Sequence, residues 1–254
     1  MKKKTNLLIM LFAFTFVLLI STKVMATDSI PIPKIGINID SADTPTEYVD
    51  SIKLLLLLTV LTLLPSFIVM MTSFLRIIVV FGFLRSALGT SQSPPNQVLI
   101  GLALFLTIFI MMPTVTEIND TAVQPYINSE ITQDEAIEIG AKPIRTFMLK
   151  QTRQKDLSLF IEISGEQDSE DIDSVPITTI IPSFMISELR RAFEIGFLLY
   201  IPFLIIDLVV ASILMSMGMF MVPPVMVSLP FKLLLFVMVD GWYLIVKSLV
   251  LSFR

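Results

Sequence analysis

Apolar residues gather in long blocks along this chain, separated by short polar punctuation. Leu54–Leu75 runs 22 residues without a charge. That is enough to cross roughly 30 Å of hydrocarbon at about 1.5 Å per residue, and Pro65 is expected to kink it. Ser86–Gln97 (SALGTSQSPPNQ) reads as a turn-rich connector. Val98–Met112 is a second block of 15 residues, about 22 Å as a helix and short for an independent span. Glu194–Leu214 is the third, interrupted by Asp207, and from there to Phe253 the chain stays apolar but is broken by Lys232, Asp240 and Lys247. A charge near a bilayer centre costs about 2.5 kcal/mol or more. These groups are therefore expected to point into protein or a hydrated interior, which makes the chain a poor stand-alone membrane protein and a subunit of an assembly.

Twelve residues between the last two apolar arms, Met215–Met226, read MSMGMFMVPPVM. Met215, Met217, Met219 and Met221 fall at every second position, a spacing that shares one face only on extended backbone. Gly218 and the Pro223-Pro224 pair oppose a continuous helix. The pattern predicts a pliable thioether surface on a non-helical loop at membrane depth, where irregular backbone survives only if protein buries it or it lines a cavity. A constriction in a conduit is one such place; filler for an irregular core is the other reading.

The polar segments predict the organisation. Lys2, Lys3 and Lys4, an apolar run Leu7–Ile20, and Val24-Met25-Ala26 before Thr27 match a secretory signal. Five parts follow: a cleavable signal peptide at 1–26, a flexible lead-in at 27–50, a first apolar helical hairpin at 51–112, an acidic extracytoplasmic helical region at 113–183, and a second apolar hairpin at 184–254 carrying the methionine loop. Within the acidic region, Thr132-Gln133-Asp134-Glu135 fits a capping box, Gly140 is expected to end that helix and Pro143 to open another. Gly165–Ser174 (GEQDSEDIDS) is expected to be mobile. The fold class is an all-α membrane-associated protein.

Composition narrows the function. The chain is 54% hydrophobic, with a mean hydropathy of +0.83, too apolar for an ordinary soluble domain. It has no cysteine and no histidine. That removes disulfides, the commonest metal ligand and the commonest general base. There is no phosphate-binding glycine loop, so a membrane enzyme is remote, and no cofactor or metal site is expected. The 113–183 region holds 13 acidic and 5 basic residues, and nucleic acid is not an expected partner, because phosphate binding needs a basic face. Arg76 and Arg85 lie near the first connector without nearby acids, so the connector is expected on the cytoplasmic side and the acidic region on the far side.

Five charged residues are candidates for buried or inter-subunit roles: Arg76, Arg85, Asp207, Lys232 and Asp240. Arg76 and Arg85 suit a hairpin anchor, a subunit contact or snorkelling at a membrane edge. Glu188, Arg190 and Arg191 read as a solvated start to the third apolar block. Asp207 and Lys232 lie at similar depth if the arms flanking the methionine loop are antiparallel. A mutual ion pair, an inter-subunit pair and a proton relay all fit, as would the midplane site of a small-solute or ion transporter.

Three stretches carry a resemblance: Ser73–Thr107 (SFLRIIVVFGFLRSALGTSQSPPNQVLIGLALFLT), Ile201–Trp242 (IPFLIIDLVVASILMSMGMFMVPPVMVSLPFKLLLFVMVDGW) and Lys142–Phe160 (KPIRTFMLKQTRQKDLSLF). Together, from about residue 50 to the C-terminus, they resemble the FliP family of flagellar type III export-gate proteins. The injectisome gate proteins of the same superfamily are the near alternative; Arg76–Gly82 (RIIVVFG) looks more like the flagellar branch.

The resemblance implies a helical, multi-subunit gate in the bacterial inner membrane at the flagellar basal body. It implies self-assembly as a pentamer, FliQ-type and FliR-type gate subunits, an FlhB-type switch protein, and exported flagellar proteins as passengers. It implies a pore gasket at Met219, Phe220 and Met221, within a gating loop that includes Met215, Met217, Gly218, Pro223 and Pro224. Many relatives carry three consecutive methionines, and Phe220 departs from that pattern.

Overall fold

The computed structural model describes residues 45–90, 93–165 and 175–253. The proposed signal peptide, most of the lead-in and nearly all of the 165–174 tip lie outside the described residues. The chain divides into two units, Met1–Leu55 and Leu56–Arg254. All regular structure among the described residues is helical, in keeping with the all-α class. The helices are α1 (Pro45–Met71), α2 (Phe74–Leu88), α3 (Asn96–Ile118), α4 (Gln133–Gln151), α5 (Gln154–Ser164), α6 (Ile177–Ser216), α7 (Pro224–Met238) and α8 (Gly241–Leu251).

Chain punctuation explains most helix ends. Gly89 and Gly165 close α2 and α5 in the left-handed conformation, with φ of 75° and 76°, a geometry that costs glycine nothing. Pro95 and Pro176 precede α3 and α6. Thr132 caps α4 in a reciprocal box: its backbone N–H donates to Glu135 Oε2 at 2.8 Å, and the Glu135 N–H donates to Thr132 Oγ1 at 3.4 Å.

Other punctuation is overridden. α3 does not stop at Met112; it takes in Pro113, continues to Ile118, and passes through a π-helical turn (Asn119–Val123) into one more turn ending at Ile127. The whole stretch, Asn96–Ile127, is long and apolar enough to cross a membrane. The boundary placed at 112 therefore falls inside a helix, and so does the one at 183, which lies within the 40-residue α6. The lead-in ends in helix as well, since α1 begins at Pro45. Nor does Gly140 end a helix. It lies inside α4, where a Cβ would sit 3.4 Å from Ala122 Cβ. That is an ordinary contact distance, so Gly140 lies where α4 packs on the extension of α3 and does not terminate the helix.

α2 is the axle of the larger unit. Ile77, Val80, Phe81, Leu84, Ala87 and Leu88 are buried along it, and the same cluster takes Leu99 and Ala103 from α3, Phe203 from α6, Phe236 from α7 and Leu249 from α8. The i, i+3, i+4 and i+7 spacing of the buried set on α2 is that of a helix enclosed by neighbours. A second cluster (Met148, Leu157, Val175, Ile180 and Phe184) joins α4, α5 and the start of α6. Outside these clusters the apolar residues face outward: none of the Ile52–Met71 segment of α1 is buried, and little of the apolar part of α6 is. Surfaces of this kind belong against lipid or other subunits. Among the described residues, three helices can cross a membrane by length and composition, or four if α7 and α8, bent by 63°, count as one broken span.

Candidate functional site

The methionine loop sits where α6 turns back into α7. Met215 belongs to the last turn of α6, and Met217 is its C-cap. Gly218 follows with φ 75°. Its N–H donates to Met215 O at 3.1 Å, while the Met219 N–H donates to Leu214 O at 3.0 Å. This is the paired bonding of a Schellman cap, which only a left-handed residue completes. The backbone is thus coiled at Gly218, so the alternating methionines do not share the single extended face that their spacing suggested.

What remains is an exposed apolar turn. Phe220 is 79% exposed and Met221 98%, and Met215, Met217 and Met219 are also open. Pro223 then sets the extended entry to α7, and Pro224 takes its first position, where a missing N–H removes nothing.

An ionic pair joins the two arms about two helical turns from this turn. Lys232 Nζ on α7 donates to Asp207 Oδ2 on α6 at 2.6 Å, and to the carbonyl of Ala87 on α2 at 3.2 Å. Ser228 donates its hydroxyl to Asp207 Oδ1. Lys232 is buried, while the Asp207 carboxylate keeps an edge exposed. Ala87 is in the last turn of α2, so the ammonium also meets the partial negative charge of a helix C-terminus. Of the readings open for Asp207 and Lys232, the mutual pair is the one formed within this chain.

At the opposite end of α2 stands a larger network. Arg76 is fully buried, not snorkelling, and it spends all five of its N–H donors. Nε and Nη2 take both oxygens of Glu188, and Nη2 also reaches Gln151 Oε1 at 3.0 Å. Nη1 reaches the carbonyl and hydroxyl oxygens of Ser252, each at 2.9 Å. The guanidinium lies 3.7 Å from the centre of the Phe253 ring, and Gln151 returns a bond to the Phe253 carbonyl at 3.2 Å. Four parts of the fold (α2, α4, α6 and the C-terminal turn) meet on one cation. Glu188 is accordingly a core partner and not a solvated helix start.

Next to this network, Asp156 takes Arg153 in a two-pronged pair at 2.9 and 2.8 Å, and the Ser187 hydroxyl at 2.6 Å. Burial by itself would raise this carboxyl. The bonds from Ser187 and Arg153, with the Arg153 and Arg190 charges, outweigh it and hold the group below the usual aspartate range.

The remaining two candidates are turn residues. Arg85 donates to Asn96 Oδ1, tying the last turn of α2 to the first of α3; it anchors the connector. Asp240 adopts φ 51° and ψ 54° at the break between α7 and α8. Among the described residues no three histidine, cysteine or acidic groups converge as a metal site.

Sequence reasoning missed Glu188, Gln151, Asp156 and Ser252. One signal was present: Arg76 sits early in an apolar helix whose only other charge is Arg85 in its last turn, and a buried guanidinium demands a carboxylate somewhere in the fold. Its location 112 residues away was not readable.

The FliP family model matches residues 57–249. A flagellar biosynthetic protein FliP from Bacillus subtilis (strain 168) is 57% identical over 217 residues, covering 85% of this chain and 98% of its own length. The protein of that name from Pectobacterium carotovorum subsp. carotovorum is 54% identical over 203 residues, covering 80% and 79%. The one from Aquifex aeolicus (strain VF5) is 54% identical over 208 residues, covering 81% and 87%.

Proposed function

We propose that this chain, which belongs to the FliP family and is a membrane component of the flagellar export apparatus, forms the pore of the export gate and seals it when idle. The observation that supports this most is the turn at Met217–Met221. Its charged neighbours Asp207 and Lys232 are paired with each other on the flanking arms, and its thioethers and Phe220 are left exposed among the described residues. A closed ring of such turns from several copies makes an apolar constriction that resists wetting, and flexible thioethers repack around side chains of every kind. No bond is made or broken in this work, so it calls for no catalytic group.

In this reading the chain assembles as a pentamer with FliQ-type and FliR-type subunits and an FlhB-type switch protein. It passes unfolded flagellar proteins across the inner membrane, with the 113–183 region on the periplasmic side. The bare apolar surfaces of α1, α3 and α6 are then shared between lipid and sister subunits.

The test is small-ion leakage through assembled gates in vesicles. Met219→Ala with Met221→Ala is expected to raise leakage at least several-fold over the parent gate. Unchanged leakage, with assembly intact, would remove the sealing role.

A further inference from the structure

We propose that α7 is a latched arm: it swings about the Val239–Gly241 break, and the Asp207–Lys232 pair holds it, and with it the methionine turn, in the closed position. This rests on the gate reading above and supplies its moving part.

The attachment of α7 is unlike that of its neighbours. Ser228, Lys232 and Phe236 are its buried residues, spaced four apart along one stripe. Phe236 lies at the break, in edge contact with Trp242 at 5.5 Å and near Phe203 at 6.5 Å. The other two, Ser228 and Lys232, bond Asp207, and Lys232 also bonds Ala87. Beyond its root, therefore, the fully buried contacts of α7 are polar bonds, and apolar residues such as Val227 and Leu229 are only half-buried beside them. Polar bonds can be exchanged for others at little net cost, whereas an interlocked core resists gradual displacement.

Room to move is present. An open apolar groove of about 430 Å³ separates the outer halves of α6 and α7, with Ile206, Val210 and Leu214 on one wall and Val227 and Phe231 on the other. The arm is not packed flush against the helix it follows.

The root has the features of a hinge. The Val239 and Asp240 N–H groups donate back to Leu235 and Val237, and forward bonding resumes with Leu244 donating to Asp240. The two helices meet at 63°. Asp240 holds φ 51°, a region that non-glycine residues enter at a cost, so its backbone has a more relaxed conformation available. Beyond the break α8 is fixed. Its Ile245 and Leu249 are buried, and the Ser252–Phe253 turn that follows it is bound by Arg76 and Gln151. Residues that absorb a backbone rotation at an element end, with one side anchored and the other weakly held, are what hinge closure requires.

The chain contains no cysteine, so distances can be read with paired labels. Ser86→Cys with Val225→Cys spans α2 to the tip of the arm, and Ser86→Cys with Leu251→Cys spans α2 to the end of α8. Labelled subunits are diluted into unlabelled ones in the assembled gate, in vesicles, and electron–electron distances are compared with and without the latch. The latch is removed by Lys232→Met, and separately by Lys232→Met with Asp207→Asn, which strands no charge. The expected result is a lengthened or broadened 86–225 distance, by about one helical turn or ~5 Å, with 86–251 unchanged. If both distances hold, there is no latch; if both lengthen together, there is no hinge; either result overturns the proposal. Ion leakage measured on the same vesicles separates the two readings. A displaced arm without leakage keeps the hinge and removes the sealing role. Leakage with both distances unchanged keeps the sealing role and removes the hinge.

Discussion

Phe83 on α2 lies so close over Gly196 on α6 that a Cβ on the glycine would fall 2.4 Å from the phenylalanine Cδ2 and 2.9 Å from its Cβ. The Phe83 ring is itself braced edge-on by Phe193, with centroids 5.0 Å apart. A clash with the far end of a flexible side chain could be relieved by rotation. A clash with Cβ moves the backbone, so the α2–α6 crossing admits only glycine at position 196.

Gly196→Ala is therefore expected to destabilise the chain by about 1–3 kcal/mol, the usual cost of overpacking. Phe83→Leu in the same chain should recover part of that loss, and Phe83→Leu alone should cost less than Gly196→Ala. Trp242 is the only tryptophan and sits within 6.3 Å of Phe81. Its fluorescence during thermal unfolding in detergent reads all three variants, and an unshifted midpoint for Gly196→Ala would mean that the helices separate freely.

At the Arg76 network the order of severity is the informative quantity. Removing one partner of a buried pair leaves an uncompensated charge and costs about 3–5 kcal/mol. Arg76→Ala and Glu188→Ala should each prevent accumulation of folded chain in membranes. Arg76→Lys should be nearly as damaging, because an ammonium has three donors where the guanidinium makes five bonds. Arg76→Met with Glu188→Leu should be milder than either alanine variant. Membrane-fraction levels with the melting midpoint check the order; a double variant worse than both singles would mean that the cation is needed for Gln151 and Ser252 more than for Glu188.

The contrast between the two ionic sites shows what was legible in the sequence. Asp207 and Lys232 flank a recognisable turn, and two antiparallel arms put residues at similar distances from it at similar depth, so local geometry made their meeting one of the readings left open, though it did not select it. Arg76 and Glu188 are brought together by the crossing of α2 and α6, which depends on Phe83 and Gly196, and no local pattern encodes that. Gly140 and the end of the second apolar block at Met112 misled for a related reason. Glycine is a poor helix former in isolation, but tertiary contact overrides intrinsic preference. Gly140 packs in contact with Ala122, and α3 runs on past Met112 and Pro113 through a π turn. Thr132 and Glu135 were legible because a capping box is complete within four residues. The exposed methionines were legible as a group, while their coiled arrangement was not, because spacing alone could not show where α6 would end.

Asp156 makes stability depend on pH in a defined direction. Its carboxyl titrates lower in the folded chain than the roughly 3.9 of an unfolded aspartate. A depressed acid contributes stability that is fully present above the unfolded value and is lost as pH falls through the folded one. The difference in melting midpoint between the parent and Asp156→Asn should then be constant from pH 7 to about 5. It should shrink progressively below about pH 4. A difference that stays constant down to pH 2.5 would show that the Arg153 and Ser187 bonds do not depend on the ionised carboxylate.

Gly218 tests the methionine turn without touching a methionine. Its Cβ position is open among the described residues of its own chain, with nothing within 4 Å, so within the subunit a substitution there acts through the backbone. Alanine in the left-handed region costs about 1–2 kcal/mol, and that strain falls on the two bonds that close the cap, from Gly218 to Met215 and from Met219 to Leu214. Asparagine tolerates the region better. Gly218→Ala should therefore raise small-ion leakage through the assembled gate, and Gly218→Asn should raise it less, with both chains assembling to parental levels. If steric filling of the pore were the controlling factor, both variants would leak less than the parent, since both side chains are larger than glycine. The sign of the change relative to the parent thus tells a turn that must be coiled to seal from one whose seal depends only on what fills the hole.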